Sequence, residues 1–234
     1  MKLRTWDNLP EFMKCTEVRE YYDVLAGKKG SLFLKRVFDI VVAAIMLIVL
    51  AIPMLIIAIA IRIDSSGPVF YRQERVTSYG KTFRIHKFRT MVDNADKKGS
   101  AVTVDGDARI TRVGGKLRNL RIDEIPQLID VLKGDMSFVG TRPEATKYVK
   151  QYAKQMNATL LLPAGITSEA SIRYNDEARL LNAADDVDKV YLENILPDKM
   201  AINLQSLKSF SFFGDVVTMF RTVLAVLGKD YNEE

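Results

Sequence analysis

Apolar positions are distributed very unevenly along this chain. From Ile40 to Ile61 the sequence IVVAAIMLIVLAIPMLIIAIAI carries no charged or strongly polar side chain. At about 1.5 Å rise per residue, that run is long enough to cross a hydrocarbon core. A cleavable leader does not fit, because the run begins far into the chain, exceeds a signal core and lacks a small-residue cleavage site after it. A buried globular helix would rarely be apolar on every face for this length. Pro53 removes a backbone hydrogen bond and crowds the preceding turn, so the pattern predicts a bend at Ile52-Pro53. Lys35 and Arg36 precede the run and Arg62 follows it. Cations at both ends choose no orientation. A kinked span and a helix entering and leaving by one leaflet are both consistent with this pattern.

Elsewhere the periodicity changes. EFMKCTEVREYYDVLAG fits a short amphipathic helix, and Gly27 to Ser31 (GKKGS) a joint before the apolar run. DSSGP, Asp64 to Pro68, is a turn signal. VFYRQERV and KTFRIHKFRTM then predict a β-hairpin closed at TSYGK. Residues 93–108 are acidic and glycine-containing, the composition of a surface loop. Leu117, Leu120, Ile125, Leu128, Ile129 and Leu132 recur at helical spacing, and Gly134 is placed to cap that run. Further helices are expected from Glu144 and over Asp176 to Asn194, with a loop or short strand at LPAGITSEASI. From Met200 to Gly228, apolar residues including Phe210, Phe213 and Phe220 stand beside Lys208, Arg221 and Lys229. That segment reads either as a helix in the membrane interface or as one facing the core of the soluble body.

Composition narrows the chemistry. The 234 residues carry a net charge of +5, which suits an anionic partner: nucleic acid, lipid head groups or a phosphorylated substrate. The basic residues form no stripe interleaved with aromatics, which argues against nucleic acid. Cys15 is the single cysteine and His86 the single histidine, which excludes disulfides, thiolate clusters and multi-histidine metal sites. A metal here would be held by oxygens, as Mg²⁺ or Mn²⁺ are. Gly80-Lys81-Thr82 is not a phosphate-binding P-loop, since Arg75 stands where its earlier glycine belongs.

The densest chemistry lies in RIDEIPQLIDVLKGDMSFVGTRPE, Arg121 to Glu144, where Asp123 and Glu124 sit among Lys116, Arg118, Arg121, Lys133 and Arg142. Local grammar reads DEIPQL as an ordinary helix start, with Asp as N-cap, Glu in the first turn and Pro126 tolerated there. The same geometry serves catalysis. A helix N-terminus and nearby cations favour an ionised carboxylate and form an anion site. An adjacent acid is placed to hold a divalent cation beside a phosphate. A nucleophile, a metal ligand and flanking arginines compose a phosphoryl-transfer site, and a neighbouring membrane segment suggests a phosphate on a lipid.

KRVFDIVVA, SSGPVFYRQERV, FRIHKFRTM, RITRVGGKLRNLRIDEIPQLIDVLKGDMSFVGTRPE and AGIT occur in this order. Jointly they resemble the bacterial sugar transferase family, the monotopic phosphoglycosyl transferases of polysaccharide and glycoconjugate assembly, over Lys35 to Ser171. The resemblance implies transfer of a sugar-1-phosphate from a nucleotide diphosphate sugar, usually a UDP-sugar, to polyprenyl phosphate at the cytoplasmic membrane face. It implies Asp123 as nucleophile forming a covalent phosphosugar-aspartyl intermediate and Glu124, with Asp123, organising Mg²⁺. It matches Arg118 and Arg142 to phosphate-binding arginines, the latter followed by Pro143, and matches Lys87 and Arg89 to a basic motif for phosphate or head-group contact. It also matches Pro53 to the break of a re-entrant helix. The architecture implied is α+β and helix-rich. It comprises a polar extension (1–34), a Pro-broken re-entrant membrane helix (35–63), a cytosolic catalytic part with a small β-hairpin (64–200) and an amphipathic interfacial segment (201–234). Partners would be a UDP-sugar, polyprenyl phosphate and membrane lipids, with a homo-oligomer left open.

Two departures stand out. Thr141 occupies the place of the usual first proline of Pro-Arg-Pro, and Ser168-Glu169-Ala170-Ser171 replaces the usual residues after GIT. The alternative reading is a non-catalytic, membrane-anchored basic protein of a glycan-assembly complex.

Overall fold

The computed structural model describes residues 1–95, 107–174 and 186–226. Most of the acidic stretch 93–108, residues 176–185 of the stretch Asp176 to Asn194, and Leu227 to Lys229 lie outside them. The described chain is helix-rich with two small sheets, an α+β arrangement.

The N-terminal helix α1 (Thr16–Ala26) buries Val18, Tyr21 and Leu25. With Leu9 and Met13 these enter one apolar cluster with Leu160, Leu161, Leu162, Leu204, Leu207 and Phe210. The residues before the membrane-like run are thus packed into the body of the protein. The expected run itself forms two helices, α2 (Lys29–Val49) and α3 (Ala51–Asp64), bent by 61°. Neither alone is long and apolar enough to cross a membrane, although the bent pair passes on length and composition. The bend falls at Leu50, slightly ahead of the expected Ile52-Pro53. Pro53 instead sits in the first turn of α3, where its missing amide would have bonded to the carbonyl of Val49, the last residue of α2.

Burial divides the two helices. In α2, Leu32, Lys35, Asp39 and Ala43 make one buried stripe. In α3 only Ile61 is buried, while Ile52, Leu55, Ile56, Ile59 and Ile63 are all more than half exposed. Leaving such a side chain in water rather than burying it costs about 1.5–3 kcal/mol, so an exposed apolar face of this kind suits an interaction surface.

The hairpin forms as expected. Strands β1 (Phe70–Val76) and β2 (Thr82–Phe88) pair antiparallel, from Phe70 opposite Phe88 to Val76 opposite Thr82. A second, parallel pair joins β3 (Met136–Val139) to β4 (Ala164–Thr167). β3 has no sequence expectation behind it: KGDMSFVG is short, and only Met136 and Phe138 alternate there with a polar residue, Ser137. It packs against α2 and the helix that precedes it in the chain around Ala43, Val131, Met136 and Phe138.

The helical run expected from Lys116 to Leu132 is broken. Helix α4 (Arg112–Asn119) ends before Arg121, which takes the left-handed conformation (φ 53°). A 3₁₀ turn, Ile122–Gln127, then leads into α5 (Leu128–Lys133). Gly134 caps α5 with φ 84°, the role its position suggested. Beyond lie the short helices α6 (Thr146–Val149) and α7 (Glu169–Arg173), with the 3₁₀ segment Lys154–Leu161 between them.

The C-terminal run resolves into both of its readings. Helix α8 (Val187–Val190) continues through a π turn (Tyr191–Ile195) into α9 (Leu196–Lys208), which buries Met200, Leu204 and Leu207. Helix α10 (Phe212–Val226) leaves Phe213, Val217, Phe220 and Val223 exposed. The same apolar spacing therefore faces the core in α9 and faces outward in α10.

Candidate active site

Four elements converge on the acid pair. The 3₁₀ turn carries Asp123 and Glu124, β2 runs beside it with Lys87, α4 supplies Arg118, and the segment leaving β3 supplies Arg142. Asp123 is not the helix N-cap that local grammar suggested: Arg121 holds that place and both acids lie in the first turn. A left-handed residue there reverses the chain after α4, and Pro126, which lacks an amide, suits the tight turn. Helix α4 is held close by Gly114, where a Cβ would lie 2.0 Å from the carbonyl oxygen of Thr90. That approach lets Arg118 Nε donate to Thr90 Oγ1 at 2.9 Å.

The two carboxylates live in opposite environments. Glu124 accepts from Lys87 Nζ at 2.7 Å and from Arg142 at 2.5 Å on Oε1, with a second, 3.3 Å contact from Arg142 on Oε2. Burial alone would raise its carboxyl, but Arg142 and Lys87 outweigh that by charge and hydrogen bonding and hold it well below the usual range. Asp123 receives no hydrogen bond among the described residues. Burial raises its carboxyl above the ordinary value and Glu124 adds to this, while Lys87, Arg118 and Arg142 pull it down without cancelling the rise. Adjacent acids with values driven apart are the signature of divided roles. The sequence expectation that a helix start and nearby cations favour an ionised Asp123 covers the downward pull and not this opposing burial.

Other expected residues fall elsewhere. Arg89 is buried and donates to the carbonyls of Ile61, Ser65 and Ser66, so it ties the end of α3 to the strand exit. Lys116 is exposed on α4. Pro143 is buried, with its carbonyl accepting from Arg75 at 3.5 Å. Thr141 accepts from the Gly165 amide at 2.9 Å, a backbone tie at the position of the missing proline.

Two features went unread in the sequence. His86 and Asp130 form a buried pair, with the Asp130 carboxylate taking the His86 backbone amide at 2.8 Å and meeting Nδ1 at 2.6 Å. Arg75 is half-buried, and its guanidinium feels the charges of Glu144 and Arg142. His86 breaks the alternation of β2, facing inward beside Ile85, and that was the available signal.

Glu124 and Arg142, with Arg121, also line a cavity of about 300 Å³. Much of the remaining lining is apolar: Met46 from α2, Phe138 from β3, Ile166 from β4, and Met219 and Val223 from α10. Among the described residues, no three His, Cys, Asp or Glu side chains gather as a metal site. An acid pair alone suits Mg²⁺, which commonly binds one or two carboxylates and takes its remaining ligands from water and substrate phosphate. The unshared oxygens of Asp123 fit that role better than those of Glu124, which Lys87 and Arg142 already engage.

Comparison with known proteins agrees with this architecture. The model of the bacterial sugar transferase family matches residues 30–229. The chain is 36% identical over 198 residues to the UDP-N-acetylgalactosamine-undecaprenyl-phosphate N-acetylgalactosaminephosphotransferase of Aeromonas hydrophila, covering 83% of this chain and 44% of that protein. It is 35% identical over 199 residues to the UDP-glucose:undecaprenyl-phosphate glucose-1-phosphate transferase of Caulobacter vibrioides, covering 84% of this chain and 70% of the relative. With the undecaprenyl-phosphate galactose phosphotransferase of Salmonella typhimurium it shares 31% identity over 219 residues, covering 87% of this chain and 42% of the relative. The chain thus spans less than half the length of the Aeromonas and Salmonella proteins.

Proposed function

The chain belongs to the bacterial sugar transferase family, and from that premise we propose that it transfers a sugar-1-phosphate from a UDP-sugar to undecaprenyl phosphate or a similar polyprenyl phosphate. The observation that carries this reading is the acid pair itself. An unshared carboxylate, Asp123, stands beside one, Glu124, that holds Lys87 and Arg142 in place, and Glu124 and Arg142 line a largely apolar cavity.

An oxygen of ionised Asp123 attacks the β-phosphorus of the donor. The new O–P bond forms as the bond to the oxygen bridging the two phosphorus atoms breaks, and UMP leaves. A phosphate oxygen of the lipid acceptor then attacks the same phosphorus, the bond to Asp123 breaks, and the carboxylate is regenerated. Arg142, Lys87 and Arg118 are the cations at hand for the phosphate oxygens. Glu124 keeps the first two aimed and supplies the charge that makes their burial tolerable. Mg²⁺ held by Asp123 with Glu124 would neutralise diphosphate charge when bound. The apolar cavity suits a lipid-linked acceptor. The relatives carry three different sugars at comparable identity, so the sugar is not assigned.

The same reading includes a re-entrant membrane helix. Lys35 donates to the Val139 carbonyl at 2.7 Å and Arg36 to the carbonyls of Val131 and Leu132, which ties one end of the helix pair to the soluble body. Arg89 ties the other end to that same body through Ile61, Ser65 and Ser66. Two ends held by one body emerge on one side, which a spanning helix cannot do. In this reading the site faces the cytoplasm at the inner membrane, with the exposed face of α10 in the interface.

The test is UMP release from a panel of UDP-sugars with polyprenyl phosphate, with and without Mg²⁺, alongside mass spectrometry of the protein mixed with donor alone. A phosphosugar adduct on Asp123 is expected. Full turnover by Asp123→Asn would sink the mechanism, and absence of UMP release from every donor would favour a non-catalytic membrane protein.

A further inference from the structure

Behind Arg142 lies a buried polar group that the proposed chemistry does not use. Glu144 is two residues on, and the intervening Pro143 restricts Arg142 to extended backbone but leaves open where the strand points. That direction is set from both sides of the Pro143-Glu144 peptide. On one side the backbone amide of Val76 donates to the Glu144 carbonyl at 3.0 Å, and Arg75 donates to the carbonyl of Pro143. On the other, Tyr191 Oη donates to Glu144 Oε1 at 2.5 Å, Lys199 Nζ lies 3.3 Å from the Tyr191 oxygen, and Lys199 Nζ is 3.9 Å from Glu144 Oε1. Glu144, Tyr191 and Lys199 are each less than 7% exposed.

The π turn explains how Tyr191 and Lys199 reach one carboxylate. In a regular α-helix, residues eight positions apart lie about 80° apart around the axis. The wider turn over Tyr191–Ile195 takes up that offset. Pro197, near the start of α9, lacks the amide that a regular helix would place against the carbonyl of Glu193, which favours the wide turn there. Glu144 is also the buried anion closest in chemistry to Arg75, itself adjacent in charge to Arg142.

We propose that Glu144, held by Tyr191 and Lys199, is a positioning residue that aims Arg142 at the donor diphosphate. The inference rests on the donor-binding role given to Arg142 above. Glu144 touches no substrate. It acts by fixing the segment that carries Arg142, and its charge offsets that of Arg75, which Arg142 also feels. It also bears on Thr141: the segment is anchored after Arg142, by a side chain, where the usual first proline would have stiffened it before.

The test uses the full chain in lipid nanodiscs, with UDP binding measured by calorimetry and KM and kcat by UMP release. Glu144→Gln keeps the shape and removes the charge. It should raise the Kd for UDP and the KM for the UDP-sugar about tenfold with kcat within about twofold. A merely structural role would reduce the active fraction, lowering kcat at unchanged KM and Kd. Tyr191→Phe should raise both constants about threefold, and it carries the test if Glu144→Gln does not fold. Wild-type Kd and KM in the folded variants would overturn the proposal. A wild-type protein that binds UDP but releases no UMP would overturn the activity, while the Kd comparison still judges Glu144. Failure of the wild type to bind UDP would overturn both.

Discussion

Asp123 and Asp130 ride on one helical segment, the Ile122–Gln127 turn and α5, yet the two ends of that segment treat a carboxylate differently. At the rear, Asp130 is 1% exposed and both its oxygens are occupied by His86 of β2. Each carboxylate oxygen there has a protein partner, so the pair locks strand to helix. At the front, Asp123 is desolvated without a donor, and its proton affinity rises. Burial with partners holds a fold together, whereas burial without them keeps a group reactive at a cost to stability. Glu124 stands between these cases: fully partnered, but by cations that the chemistry also needs.

The largest effect that would test this contrast comes from Asp123→Asn. Turnover should fall by at least about 10³-fold. Because burial raises the folded-state value of Asp123, its ionised form opposes folding above its unfolded value. The amide should therefore melt higher than the wild type at pH 7 in differential scanning calorimetry. The raised value also predicts that turnover declines, as pH falls, before an ordinary carboxylate would titrate. A lower melting temperature for Asp123→Asn would break the comparison.

Glu124→Gln leaves the half-buried Lys87 and Arg142 without their anion, with an expected loss of about 1–3 kcal/mol in denaturant titrations. Its folded-state value is depressed, so its stabilisation is present above the unfolded value and disappears as pH falls through the folded one. Wild type and variant should converge in stability under strongly acidic conditions. Asp130→Asn should cost about 1–3 kcal/mol yet leave kcat/KM of the folded enzyme near wild type, since the side chains of Asp130 and His86 pair with each other rather than with those of the front cluster. Loss of turnover in folded Asp130→Asn would show that the two ends are one functional unit. Smallest is Lys116→Ala: exposed on α4, it should change stability by no more than about 0.5 kcal/mol and turnover by less than twofold.

Much of the site was legible before any coordinates, for identifiable reasons. Lys87, Arg118, Asp123, Glu124 and Arg142 stand in short ordered motifs, and the structure brings all five to one place. Arg89 belongs to the same basic motif as Lys87, yet it turns to the carbonyls ending α3. Strand alternation does not say whether a buried arginine will meet a phosphate or a helix end. The hairpin and the Gly134 cap were readable because alternation and a left-handed glycine are local. The break at Arg121 was not, since a non-glycine residue with positive φ leaves no mark in the apolar spacing.

By itself, the amino-acid order determined the apolar run and its bend, the hairpin, the acid pair with its arginines, and the family to which they belong. Periodicity, proline geometry and residue chemistry act over a few neighbours, so they are written along the chain. The tertiary structure decided that α9 faces the core while α10 faces outward, that Asp123 is desolvated while Glu124 is paired, and that Glu144 meets Tyr191 and Lys199. Those outcomes depend on which distant segment arrives beside each side chain. Burial and pairing are properties of that meeting, and no local pattern encodes them.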